Sequence, residues 1–137
     1  MDMLINFPGG ARVDAQYGQF TIKTDQSIYG GGNGEAPPPF ALFLASMGTC
    51  AGIYVLNFCK QRGLETDSIQ ILQRIHNSSS THMVEKIELI IQVPETFPEK
   101  YRPSLIRSAQ LCAVKRHLEN PPEFAITTES YQPVSYN

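Results

Sequence analysis

Between Phe40 and Cys59 the chain runs for 20 residues without a charged side chain. A stretch of that length is either a bilayer span or a helix covered by the rest of the fold. Ser46, Thr49, Tyr54 and Asn57 interrupt it, and Gly48 and Gly52 would weaken a helix standing alone. Pro37-Pro38-Pro39 sets up a helix start. Gly63, just after Lys60-Gln61-Arg62, supplies a left-handed stop beside cations suited to a helix C-terminus. The segments on either side read as strands that need a helix to cover them, so a core helix is expected and no membrane partner.

Those segments alternate with a period of two. Extended runs are expected around Leu4–Phe7, Ala11–Tyr17 and Gln19–Thr24, with a turn at Gly18. Ser68–Asn77 places Ile69, Ile71 and Ile75 on one face. Val84–Val93 does the same with Ile87, Leu89, Ile91 and Val93, and Ser78–Thr81 forms the turn between them. A second helical region spans about Glu99 to Leu118, and Glu123–Tyr131 reads as a last strand. Three strands, helix, two strands, helix and strand make an α+β fold rather than a βαβ one. One domain, 1–137, accounts for the length.

The charge balance limits what the chain can do. Eleven Lys and Arg against 13 Asp and Glu give a net charge of −2, with no basic cluster to neutralise phosphates, so nucleic acid is not expected as a partner. Three cysteines do not suit a disulfide scaffold. Met1-Asp2-Met3-Leu4 lacks the plan of a signal peptide, and a reducing cytoplasmic location is the expectation. His76, His82 and His117 show no ligand spacing with the cysteines, so neither a metal nor a cofactor is expected. The Gly30–Gly34 run has no Gly-Lys-Ser/Thr after it and reads as a flexible connector, not a phosphate cradle.

At about 100° per residue, Ala41, Ala45, Gly48 and Gly52 fall on one narrow stripe with Cys59, and small residues there permit close approach. Cys50 lies half a turn away, beside Phe43, Ser46, Tyr54 and Asn57, a mixed aromatic and polar face that suits a pocket lining. Cys50 and Cys59 therefore cannot bridge within this helix, and Cys59 reads as a packed, inert thiol. In the second helical region Leu105, Ala109 and Cys112 form one stripe and Leu111, Val114 and Leu118 another, roughly opposite. One straight helix cannot bury both, so a break near Cys112 is expected. That thiol is then either at a helix junction or one more small buried hydrophobe.

The stretch Pro38-Pro39-Phe40-Ala41-Leu42-Phe43-Leu44-Ala45-Ser46-Met47-Gly48-Thr49-Cys50, with Cys112-Ala113-Val114-Lys115-Arg116-His117-Leu118 some sixty residues later, resembles the OsmC/Ohr family. The resemblance implies antiparallel sheets packed on a long central helix and a second, broken one. It also implies an intertwined homodimer with two active sites at the subunit interface. It makes Cys50 the peroxidatic thiolate and Cys112 the resolving thiol that closes a disulfide, with a dithiol reductant, lipoyl-linked in some members, restoring both. Arg12, the only arginine before Cys50, corresponds to the activating cation. Two positions depart from the pattern. Phe40 stands where the family's hydroperoxidases carry a glutamate, leaving Glu35 as the only nearby acid. Ala113 stands where a proline usually follows the resolving cysteine.

The implied chemistry is the reduction of a small hydroperoxide. Cys50 lies about three turns into its helix, too deep for that helix's own dipole, so a cation such as Arg12 is expected to ionise it. An apolar lining from Phe40, Phe43 and Met47, with Tyr54, would favour organic hydroperoxides. The rival reading is a binding module without peroxidase turnover, using the same pocket for a small apolar ligand or a thiol metabolite.

Overall fold

A computed structural model describes residues 1–131. Strands β1 (Leu4–Gly9), β2 (Arg12–Tyr17) and β3 (Phe20–Ile22) form an antiparallel sheet in that order. Helix α1 (Pro39–Gln61) follows, then the hairpin β4 (Gln70–Asn77) and β5 (Val84–Gln92), and finally α2 (Arg102–Ala109) and α3 (Ala113–Glu119). The α+β reading and its two antiparallel sheets hold.

Helix α1 starts where the prolines direct it, with Pro39 as its first residue. It ends in a Schellman arrangement: Gly63, at φ 64°, donates to the Lys60 carbonyl, while Leu64 donates to that of Cys59. The small-residue stripe faces β4. A Cβ on Gly48 would fall 2.6 Å from the Gln73 amide oxygen, and one on Gly52 would meet Ile71 at 3.8 Å. Gln73 uses its amide nitrogen to hold the Leu44 carbonyl at 2.9 Å, which ties the hairpin to the helix.

The hairpin register pairs Ile71 with Ile91, Gln73 with Leu89 and Ile75 with Ile87, which puts the expected apolar face on α1. The turn is longer than expected. Ser78 donates to the Met83 carbonyl, and His82 takes a positive φ of 57° to close it. The core is built from Val55, Phe58, Cys59, Phe97 and Leu105, and Leu64, Ile69 and Val93 pack around it.

By length and composition α1 could cross a bilayer, with a mean hydropathy of 1.7. In the fold its Met47, Ala51, Val55, Phe58 and Cys59 are buried, whereas Phe40 and Ile53 face outward. Strands β1–β3 pack on one another and share no extensive packing with α1.

Two expectations need correction. Residues 123–131 form no strand and are exposed, Phe124, Ile126 and Tyr131 among them. Alternation gives a segment the side chains of a strand, but its ladder forms only where a free sheet edge is within reach. The glycine loop is also not a slack connector. The buried Asp25 carboxylate accepts from the amides of Gln26 (2.7 Å), Asn33 (3.2 Å) and Glu35 (3.1 Å), so the loop is wound around it. A Cβ on Gly32 would collide with the Gln26 carbonyl oxygen and lie 2.6 Å from a carboxylate oxygen of Asp25.

Candidate active site

The second helical region breaks where its two stripes conflict. Helix α2 ends at Ala109, and Cys112 is the N-cap of α3, its sulfur accepting from the Lys115 amide at 3.4 Å. Both readings of Cys112 are correct at once, since it is a junction residue and only 2% exposed. Leu105 of the first stripe is equally buried, whereas Leu111 and Leu118 of the second are about half exposed.

The junction lies against the middle of α1. The groups that act on the Cys50 thiol are the amides of Val114 and Ala113 and the thiol of Cys112. The Val114 amide has the largest effect, and together these donors hold the Cys50 thiol below its ordinary pKa against the opposing cost of burial. Cys112 moves the other way. Burial, joined by the neighbouring Cys50, pushes it up, which keeps its proton in place. The Cys112 thiol donates to the Met47 carbonyl of α1, at 3.9 Å from its sulfur. The two thiols are thus shifted in opposite directions, Cys50 towards ionisation and Cys112 away from it.

The ionising influence differs from the one expected. Cys50 is indeed too deep in α1 to feel that helix's dipole, but the N-terminal amides of another helix reach it. Arg12 is not among the groups acting on it in its own chain. Its guanidinium pairs at 2.6 Å with Asp14, which is buried in β2, and its field also helps keep the Asp25 carboxyl ionised. The fragment Cys112-Ala113-Val114 carried this signal in the sequence, because a break before Ala113 leaves its amides without helical partners.

The other expected lining residues are dispersed. Phe40 and Phe43 stack on each other with centroids 5.3 Å apart and are largely exposed. Met47 is buried beside Cys112. Tyr54 opens onto a cleft between α1 and α2 that neither Cys50 nor Cys112 lines. Glu35 is exposed, and its part in the fold is the backbone amide it lends to Asp25. Cys59 is fully buried and its thiol is pushed up by burial, as suits an inert packing residue.

The family model described as OsmC-like protein matches residues 31–127, which includes both cysteines of the pair. The chain belongs to this family. Solved OsmC-like structures share the fold at low sequence identity. A Psychrobacter arcticus protein described as an osmotic stress and detoxification response protein is 18% identical with a TM-score of 0.69, covering 83% of this chain and 85% of its own. An OsmC-like protein from Mycoplasma pneumoniae gives 13% and 0.67, over 88% and 87%. The organic hydroperoxide resistance protein OhrB of Bacillus subtilis gives 18% and 0.52, over 87% and 90%. No curated protein matches the chain.

Proposed function

We propose that this OsmC-like chain is a thiol peroxidase that reduces organic hydroperoxides through Cys50 and Cys112. The observation that carries the reading is the seating of Cys112, the buried N-cap of α3, against α1 at the Met47 carbonyl, where it and the Ala113 and Val114 amides lower the Cys50 pKa while its own is raised. The Cys50 thiolate attacks the outer oxygen of the hydroperoxide, the O–O bond breaks, and the alkoxide leaves as an alcohol once protonated. The sulfenic acid left on Cys50 condenses with the Cys112 thiol, forming a disulfide and one water. A dithiol reductant then supplies two electrons and two protons to restore both thiols.

The working form is a homodimer in the reducing cytoplasm, each subunit one domain. One chain exposes 11045 Å², whereas a compact monomer of its mass exposes about 7,100 Å². Leu4, Ile5, Phe7 and Phe20 on the N-terminal sheet are all open, as are Phe124 and Ile126. An excess of that size belongs to chains that bury surface against each other. In this reading Arg12 serves the partner's thiol, where a guanidinium would hold the peroxide oxygens, and the exposed aromatic residues Phe40 and Phe43 complete the apolar wall there.

Phe40 in the position of the family's glutamate favours the second reading, a pocket that binds without turnover. Adding cumene hydroperoxide to the reduced protein and counting thiols separates the two: the peroxidase consumes two per chain and the binding module none.

A further inference from the structure

Helices α1 and α2 flank an open cleft of about 560 Å³ lined by neither Cys50 nor Cys112. Asn57 and Gln61 line it from α1, Arg62 from the residue that caps α1, and Ser104, Arg107 and Ser108 from α2. Each of these side chains can donate hydrogen bonds, and no carboxylate lines the cleft. Among the described residues neither arginine has an acidic partner. Arg62 is nonetheless held in place. Its guanidinium lies 3.7 Å from the centre of the Phe58 ring and donates to the Phe58 carbonyl at 3.1 Å. Arg107 is steadied by the Ser104 hydroxyl at 2.7 Å. These contacts occupy few of the five N–H donors that each guanidinium carries. Two cations beside one concavity, with spare donors and no counter-charge, suit an oxyanion.

The cleft also points somewhere. Tyr54 and Leu111 line it as well, the first one turn beyond Cys50 and the second adjacent in sequence to Cys112. Cys50, Tyr54, Asn57 and Gln61 share one face of α1, so the cleft continues the thiol face along the helix. Asn57 and Gln61 stand roughly 10–16 Å from Cys50 along the axis at the usual helical rise.

We infer that this cleft binds the oxyanion head group, carboxylate or phosphate, of an elongated organic molecule whose other end reaches the Cys50–Cys112 pair. Arg62 and Arg107 are the residues that select it. The inference deepens the peroxidase reading by giving its substrate a charged end, but the binding step needs no turnover.

The test titrates reduced protein by calorimetry with octanoate, octyl phosphate and 1-octanol, and follows alkylation of Cys50 by iodoacetamide. At least one of the two anions should bind ten-fold or more tighter than octanol, and the stronger one identifies the head group. Arg107→Gln and Arg62→Gln should each weaken that anion at least five-fold. Arg107 is exposed, so its variant keeps the test valid if loss of the Phe58 stacking unfolds the other. Saturation with the anion should slow alkylation of Cys50. Equal binding of octanol and the anions, unchanged affinity in the arginine variants, or alkylation indifferent to saturation would each overturn the assignment. Thiols that survive hydroperoxide would sink the peroxidase reading alone and leave these titrations unaffected.

Discussion

Cys112, the N-cap of α3, acts on the Cys50 thiol of α1 although the two residues are 62 positions apart in the chain. Each changes the other in the direction a redox pair needs, one sulfur eased towards ionisation and the other kept protonated. The arrangement depends on a helix break, because only free first-turn amides can aim at a neighbouring sulfur.

Alkylation of Cys50 by iodoacetamide should follow thiolate formation, with a midpoint below that of an unstructured thiol. Cys112→Ala removes one donor and should move the midpoint up. Ala113→Pro restores the family's residue and deletes one amide at a helix position where proline is well tolerated, so the fold should persist while the midpoint rises. A midpoint indifferent to both changes would contradict the donor geometry.

Arg12→Gln should weaken the N-terminal sheet, because the buried Asp14 carboxylate loses its 2.6 Å partner. The expected cost is on the order of 1–3 kcal/mol, read from denaturant midpoints. If Arg12 serves the partner's thiol, oxidation of Cys50 by cumene hydroperoxide should also slow at least ten-fold. Normal oxidation in a destabilised protein would confine Arg12 to a structural role.

The loop around Asp25 makes a prediction whose sign is fixed. Three backbone amides outweigh burial and hold the Asp25 carboxyl below its usual pKa, the Glu35 amide having the largest effect. A depressed carboxylate stabilises the fold above the unfolded pKa of about 4, and that contribution fades as the pH falls towards the lower folded value. Asp25→Asn should therefore flatten the acid limb of the stability curve. Gly32→Ala, which forces a methyl group onto the Gln26 carbonyl, should cost about 1–3 kcal/mol at any pH.

Sedimentation equilibrium should give twice the chain mass of 15.3 kDa. Shortening the chain after Asn120 should shift the protein towards monomer if the exposed Phe124 and Ile126 are interface residues. A monomeric full-length chain would remove the proposed home for those side chains.

The parts of the fold governed by local periodicity could be read from the sequence. The Gly48–Gly52 stripe predicts close approach to a sheet, and it packs on Ile71 and Gln73 of β4. The opposed stripes of Leu105 and Leu111 predict the break at Cys112, and the break is there. What depended on long-range pairing was less legible. Residues 123–131 carry strand side chains but find no sheet edge among the described residues. Asp25 is one carboxylate in a polar stretch, and only three-dimensional closure shows it gathering the amides of the glycine loop. The break before Ala113 was legible, but that its freed amides act on Cys50 was not, since the contact joins segments some sixty residues apart.

The most direct test of the pairing is a thiol count after cumene hydroperoxide is added to reduced protein. The wild-type chain should lose two of its three thiols and gain a Cys50–Cys112 disulfide detectable by peptide mass, while Cys59 stays free. Cys112→Ser should lose only one. Three thiols intact under excess peroxide, or a disulfide that includes Cys59, would contradict the account.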